Sequence, residues 1–275
     1  MNTPTPQQWI GRTQTCHDNL DMTHVEKVSL ALNEPTPQAG SALPLLWQWC
    51  FFQQGVPYAE IGTDGHPQRG GFMPPADNRI RMWAGGRLTF HQALRAGVPA
   101  RRESTILGVQ EKVGKTGKLL FVTVGHQYSQ EDRLCIAEEQ DVLYREPTPP
   151  KLRGDTTPAQ PDWSETVQPS SVMLFRYSAV TFNGHRIHYD QPYATQTEGY
   201  PDLVVHGPLL ATLMCAAFTR AHPDATPTNL SYRGLRPLCL PQAFLVQGRR
   251  TADNTADLWV AQDDTLAHQA RMTFS

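Results

Sequence analysis

Side chains able to move protons are concentrated between Phe175 and Leu210, where the chain reads FRYSAVTFNGHRIHYDQPYATQTEGYPDLVVHGPLL and supplies His185, His188 and His206. An unperturbed imidazole titrates at ~6.5, so histidine both takes and returns a proton near neutrality. These three are the candidate acid/base groups. His206 directly precedes Gly207 and Pro208, where an apolar run begins. The first N–H groups of a helix have no partner within it and carry its positive dipole end. A helix starting at Gly207 would therefore offer an N–H to a carbonyl oxygen on which enolate-like charge develops, and glycine permits the close approach.

That helix is the clearest element in the sequence. Pro208 to Arg220 is apolar nearly all round, which predicts a buried helix, with Pro208 suited to its first turn and Arg220 to its C-terminal dipole. Before it, Val172 to Val180 reads as a strand. After it, Asn229 to Arg236, Gln242 to Arg249, Asp257 to Ala261 and Ala267 to Phe274 alternate as four short strands. A curved antiparallel sheet wrapped on a buried helix follows from that pattern.

The first half reads similarly but less sharply. Gln7 to Leu32 suits one or two short helices, and Asn33 to Gly40 is a loop. The aromatic segment Leu43 to Gln53 suits a buried strand or a helix turn, and its periodicity does not choose between them. Gly62 to Gly86 is loop-like, contains Arg79-Ile-Arg-Met-Trp-Ala-Gly-Gly as a pocket wall or anchor, and has its glycine pairs Gly70-Gly71 and Gly85-Gly86 as turns. Arg102 to Lys112, Leu119 to Tyr128 and Arg133 to Tyr144 form a meander, with Gly114-Lys-Thr-Gly as its first hairpin turn. A proline-rich, polar stretch then separates the halves. The expected division is an N-terminal unit over 1–146, a linker over 147–168 and a C-terminal unit over 169–275, without a visible internal repeat.

Composition excludes several functions. A formal charge of −2 with 18% charged residues gives no basic excess, so nucleic acid is not an expected partner. No apolar run reaches the ~20 residues of a membrane span, and the polar start Met1-Asn-Thr-Pro-Thr-Pro lacks the features of a signal peptide. A cytoplasmic protein is the expectation. The five cysteines are scattered singly, which argues for reduced thiols and against a disulfide framework or zinc knuckle.

The run Thr181-Phe-Asn-Gly-His-Arg-Ile-His-Tyr-Asp190 and its continuation Glu198-Gly-Tyr-Pro-Asp-Leu-Val-Val-His-Gly-Pro-Leu209 resemble the hydratase motif of the MaoC-like and R-specific enoyl-CoA hydratases. The variant is similar to a subfamily that includes mesaconyl-C4-CoA hydratases, itaconyl-CoA hydratases and mitochondrial 3-hydroxyacyl-thioester dehydratases. Arg81-Met-Trp-Ala-Gly-Gly, Gly117-Lys-Leu-Leu-Phe-Val-Thr-Val and Glu138 to Glu146 extend the resemblance into the first half. It implies an α+β double hot-dog: two units, each a long helix wrapped by a curved antiparallel sheet, with only the second keeping the catalytic motif.

The resemblance also implies reversible hydration of an enoyl thioester, with a short branched or dicarboxylic acyl-CoA such as mesaconyl-C4-CoA or itaconyl-CoA as substrate. His188 falls on the family's catalytic histidine. The family's aspartate falls on Asn183, its asparagine on His185 and its proline on Arg186. An amide nitrogen takes no proton at neutral pH, so Asn183 can orient a water but leaves the base to His188. The Gly207 N–H would polarise the thioester carbonyl. No cofactor is expected, coenzyme A being part of the substrate, and hot-dog units usually pair, which makes a homodimer the expectation.

Other residues have plainer alternatives. Asn183 before Gly184 also suits a simple turn, and Asp190 suits a helix cap. His206 and His185 are candidate partners of the site, with no carboxylate or thiolate spaced to complete a metal site. Arg81, with Arg79 and Trp83, suits a distal carboxylate gripped by a guanidinium, while Arg233, like Arg236, Arg249 and Arg250, suits a coenzyme A phosphate or a solvated strand face. A carrier-protein substrate, thioester hydrolysis and acyl-thioester binding without turnover remain alternative functions.

Overall fold

The computed structural model describes residues 5–76, 79–114, 117–158 and 160–275. The first half contains strand β1 (Thr13–Asp18), helix α1 (Met22–Leu32) and strands β2 (Ile80–Phe90), β3 (Ala100–Gly114), β4 (Gly117–Gln130) and β5 (Arg133–Arg145). The second contains β6 (Trp163–Val167), α2 (Ser171–Thr181), α3 (Gly207–Ala221), β7 (Pro227–Gly234), β8 (Phe244–Ala252), β9 (Thr255–Gln262) and β10 (Thr265–Phe274). All ten strands form one sheet in the order β1-β3-β4-β5-β2-β7-β10-β9-β8-β6. Read inward from either edge, each half places its own strands first, third, fourth, fifth and second. The duplication that the sequence hides is explicit in the topology. The halves meet where β2 pairs with β7 in antiparallel register, from Gly85 opposite Arg233 to Thr89 opposite Asn229.

Helix α3 begins at the expected Gly207 and buries almost every side chain from Leu209 to Phe218 against its half of the sheet. Arg220, in its last turn, pairs with Glu165 on β6 at 2.6 Å and with Glu34, tying the helix end to both halves. The meander of the first half and the four strands after α3 lie where alternation predicts them. The tip of the first hairpin, at 115–116, lies outside the described residues.

Four elements differ from expectation. Residues 172–180 are helical, not extended: Ser170 accepts a hydrogen bond from the Met173 N–H as N-cap, and Leu174, Tyr177 and Ser178 share a buried face. Gly85 and Gly86 are no turn but sit inside β2, at the seam between the halves. Short strands β1 and β6, at the two sheet edges, arise in segments read as helical and as linker; both are paired through their backbones, which composition does not reveal.

The long wrapped helix is a property of the second unit. In the first, prolines at 35, 37, 44 and 57 interrupt the corresponding stretch, since each would remove a helix hydrogen bond. A short 3₁₀ turn, Trp47–Cys50, follows α1 instead, and Trp47, Phe51 and Phe52 join Leu88, Tyr128 and Ile136 in the core. Among the described residues, no helix is long and apolar enough to cross a membrane.

Candidate active site

The site is built on the link between α2 and α3. Helix α2 ends at Phe182, in the left-handed region at φ 50°, and Asn183 turns the chain by accepting the His185 N–H on its Oδ1 at 3.0 Å. A 3₁₀ turn, Arg186–His188, follows. Asp190 then caps the next helical segment, accepting the Tyr193 N–H at 3.1 Å, while Arg186 pairs with its other oxygen at 2.7 Å. The Arg186 guanidinium, with the Tyr193 N–H, holds the Asp190 carboxyl below its ordinary range. A hydrogen bond from the Val204 N–H to the Ile187 carbonyl, at 2.9 Å, closes the loop on itself.

These contacts leave His188 only 6% exposed, with Nδ1 at 2.7 Å from the Val204 carbonyl oxygen. A carbonyl only accepts, so Nδ1 carries the hydrogen and Nε2 keeps its lone pair. The imidazole stacks on His206, with ring centroids 3.6 Å apart. His206 in turn meets the Ser178 hydroxyl at 2.8 Å through Nε2, and its buried Nδ1 has no hydrogen-bond partner. Burial, reinforced by His206 and His185, holds His188 well below its ordinary pKa, against the opposing pull of the Val204 carbonyl. Burial likewise lowers His206 to about 3. Both rings are neutral near pH 7, and His188 is a base with a free nitrogen.

Gly207 stands next to this stack at the start of α3. A Cβ there would lie 2.8 Å from Trp83 Cε3, so the indole occupies the space that the missing side chain leaves. Trp83 stacks on Tyr232 at 4.5 Å and meets Trp49 edge-on at 5.3 Å, linking the helix end to the aromatic filling of the first half. His268 reaches the same place from β10, with Cε1 3.5 Å from the position of that Cβ and burial lowering its pKa to about 4. Only its place on the inward parity of a strand could have marked it in the sequence.

The first half also reaches the catalytic segment from outside. The Arg186 N–H donates to the Asp64 carbonyl at 2.9 Å, and Gly65, at φ +90°, lies so close to Gly184 that a Cβ would fall 1.9 Å from the Gly184 carbonyl oxygen. This contact puts the His66 ring 4.3 Å from that of His185. Burial opposes ionisation of Asp64, but hydrogen bonds and charge interaction with His66, and the charge of His185, hold its carboxyl below the usual range. Asp64, His66 and His185 bring ligand atoms within 4.8 Å of one another, a donor set suited to a divalent transition metal. Sequence spacing hides it, because two of the three come from the other half. His185 Nε2 also lies 3.5 Å from Glu198 Oε1.

Of the residues singled out by sequence, His188, His206, Gly207 and Trp83 therefore come together, with Asn183 shaping the turn that carries them. Arg81 lies on β2 near enough for its charge to act on His66, and its guanidinium has no ion-pair partner among the described residues. Arg233 is elsewhere. It is exposed on β7 opposite Gln269, on the outer face of the sheet, whereas its neighbour Tyr232 points into the core. A broad depression on that outer face, around Thr89, Glu103, Glu139 and Asn229, contains none of the histidines of the catalytic segment.

A duplicated half-sheet wrapped on a buried helix, with a base-ready histidine at the helix start, defines a hydro-lyase of the double hot-dog class. The chain belongs to the hydroxyacyl-thioester dehydratase type 2 family, whose model matches residues 46–240. It is 44% identical over 250 residues to the mesaconyl-C(4)-CoA hydratase of Chloroflexus aurantiacus, covering 89% of each chain. It is 30% identical over 246 residues to the mitochondrial hydroxyacyl-thioester dehydratase type 2 of Schizosaccharomyces pombe, covering 78% of this chain and 79% of that one. In structure it is similar to HtdX of Mycobacterium tuberculosis, with a TM-score of 0.71 at 19% identity, covering 96% of this chain and all of that one. It also matches a second M. tuberculosis protein, described as a double hot-dog, with a TM-score of 0.59 at 13% identity and 96% of each chain covered.

Proposed function

We propose that the chain catalyses the reversible hydration of a short enoyl-CoA bearing a second carboxylate, with mesaconyl-C4-CoA as the first candidate and itaconyl-CoA the next. The observation that carries this reading is the buried His188, whose Nδ1 is committed to Val204 and whose Nε2 is left as a base beside the start of α3. Water held by Asn183 and His188 adds to the β-carbon, and the α-carbon gains a proton. The Gly207 N–H, unpaired within its helix, polarises the thioester carbonyl.

Residues around the site support the substrate class. Aromatic side chains, Trp47, Phe51 and Phe52 among them, are packed into the first half, which favours a short acyl group. Arg81, a cation without an ion-pair partner among the described residues, is the group for the second carboxylate. His206 and Trp83 wall the acyl group, and Arg233, on the outer face of the sheet, takes no part in holding it. The chemistry needs only proton transfer and stabilisation of an oxyanion, so coenzyme A enters as part of the substrate. A cytoplasmic homodimer is part of the same proposal.

Loss of the enoyl-thioester absorbance of mesaconyl-C4-CoA, itaconyl-CoA and crotonyl-CoA, followed with wild type and His188→Ala, tests the reading. Hydration by wild type alone supports it. Release of free thiol would indicate hydrolysis, saturable binding without turnover a binding protein, and activity only on carrier-bound acyl groups a 3-hydroxyacyl-carrier-protein dehydratase.

A further inference from the structure

Hydration moves two protons, one off water and one onto the α-carbon, and the site as described so far has one free proton acceptor. Nδ1 of His188 is taken by Val204. His206 lies flat against His188 and is tied to Ser178. Asn183 is an amide whose oxygen accepts the His185 N–H, so it has neither the chemistry nor the freedom to carry a proton.

His185 and Glu198 have both. The His185 ring meets His188 edge-on, with centroids 5.4 Å apart and planes at 89°. Its Nε2 is 3.5 Å from Glu198 Oε1. The Glu198 side chain is 6% exposed, and its Oε2 has no hydrogen-bond partner among the described residues. Taking a carboxylate out of water costs several kcal/mol, so one left half-satisfied beside an imidazole marks a site used for chemistry. The backbone is built to aim it: Tyr193–Thr197 form a π-helical turn, a rare device, and the Glu198 N–H closes that turn on the Tyr193 carbonyl at 3.2 Å. On the opposite side, His66 and Asp64 pack against His185 and add a second carboxylate nearby.

We propose that His185, positioned by Glu198, is the second proton-handling residue of this site. The inference rests on the hydration reading above. In the forward step an O–H bond of water breaks and its proton passes to His188 Nε2, while the oxygen bonds to the β-carbon. The electron pair of the double bond moves to the α-carbon, with enolate charge held at the Gly207 N–H. The α-carbon then takes a proton from His185, which Glu198 orients, and the proton on His188 returns to His185. Dehydration is the reverse.

The test compares wild type, Glu198→Gln, His185→Gln and Asn183→Ala on mesaconyl-C4-CoA, with kcat, KM and the pH profile measured for each. Glu198→Gln keeps shape and hydrogen bonding and removes the charge. The expected result is a fall in kcat of about 100-fold for His185→Gln and about 30-fold for Glu198→Gln, with KM within about threefold and one limb of the profile displaced. Asn183→Ala should lose less than either. Should Glu198→Gln fail to fold, by circular dichroism, Glu198→Ala assayed with added formate takes its place, and recovery of kcat with formate is expected. Glu198→Gln and His185→Gln both active within about threefold of wild type would overturn the assignment while leaving hydration standing. A wild type inert towards every enoyl thioester would instead remove the hydration reading, and this inference with it. Loss of wild-type activity on dialysis against EDTA, restored by zinc, would give His185 to a metal with Asp64 and His66, and would overturn the dyad.

Discussion

The two halves of the sheet share one strand order and differ in what lies against it. The second half packs a helix of 15 residues, α3, and sets a histidine stack at its start. The first packs a four-residue turn and a group of tryptophans and phenylalanines. A hot-dog sheet is thus a concave wall indifferent to its filling. The helix end supplies oriented N–H groups and a place for catalytic side chains, whereas the aromatic filling supplies shape. On the function proposed above, chemistry and selectivity are divided between the halves, which touch where Trp83 lies on Gly207.

The division can be broken most directly by removing the base. His188→Ala should lower kcat about 10³-fold on the preferred thioester, within the usual range for a general base. Trp49→Leu, across the seam, should keep kcat within about tenfold and shift preference towards longer enoyl groups, since it trims an aromatic side chain that leans on Trp83. Equal losses in kcat from both, with substrate preference unmoved, would show that the halves are not divided in this way.

A smaller effect is expected at the point of contact. Gly207→Ala sets a methyl against Trp83 and turns the first N–H of α3 away from its line, so kcat should fall about 30-fold, a little over 2 kcal/mol. Adding Trp83→Leu should recover part of that loss. No recovery in the double variant would place the fault in the helix itself.

The last effect is one of pH, and it is read in stability instead of rate. His188, His206 and His268 are buried neutral, with pKa values below the ordinary 6.5. Each therefore contributes stability that is complete above pH 6.5 and is lost as pH falls below it, where the unfolded chain binds the proton and the folded chain does not. The loss is about 1.4 kcal/mol per histidine per pH unit, or roughly 4 kcal/mol at pH 5.5 for the three together. Urea midpoints at pH 7.5 and 5.5 measure it. A stability unchanged between these values would mean that the second half is open to water around its histidines.

How far these features were legible in the sequence depends on whether the signal was local. Helix α3, the strands after it and the first-half meander rest on runs of apolar periodicity, and they lie where expected. Helix α2 was disguised by Val172, Phe175, Tyr177 and Val180, residues that favour strands, although its Ser170 cap and its 174–177–178 face were present. Strand β2 was disguised by Gly85 and Gly86 within a proline- and glycine-rich context. His188, His206 and Gly207 were visible because one continuous segment carries them. Asp64, His66 and His268 were not, because the fold alone brings them to that segment from positions far away in the chain. Glu198 lay in plain view within the motif, and only its distance to His185 gives it a role.

The pairing of β2 with β7 has a consequence for how such an enzyme can change. In a homodimer of single hot-dogs, symmetry copies every substitution into both subunits, so an alteration that reshapes one wall also alters the other. Here the strand pair that would be a subunit boundary lies within one polypeptide. Each side accepts substitutions that its twin never receives. Covalent continuity thus removes a symmetry constraint, and tryptophans can stand in one half where the other has a helix and its histidines.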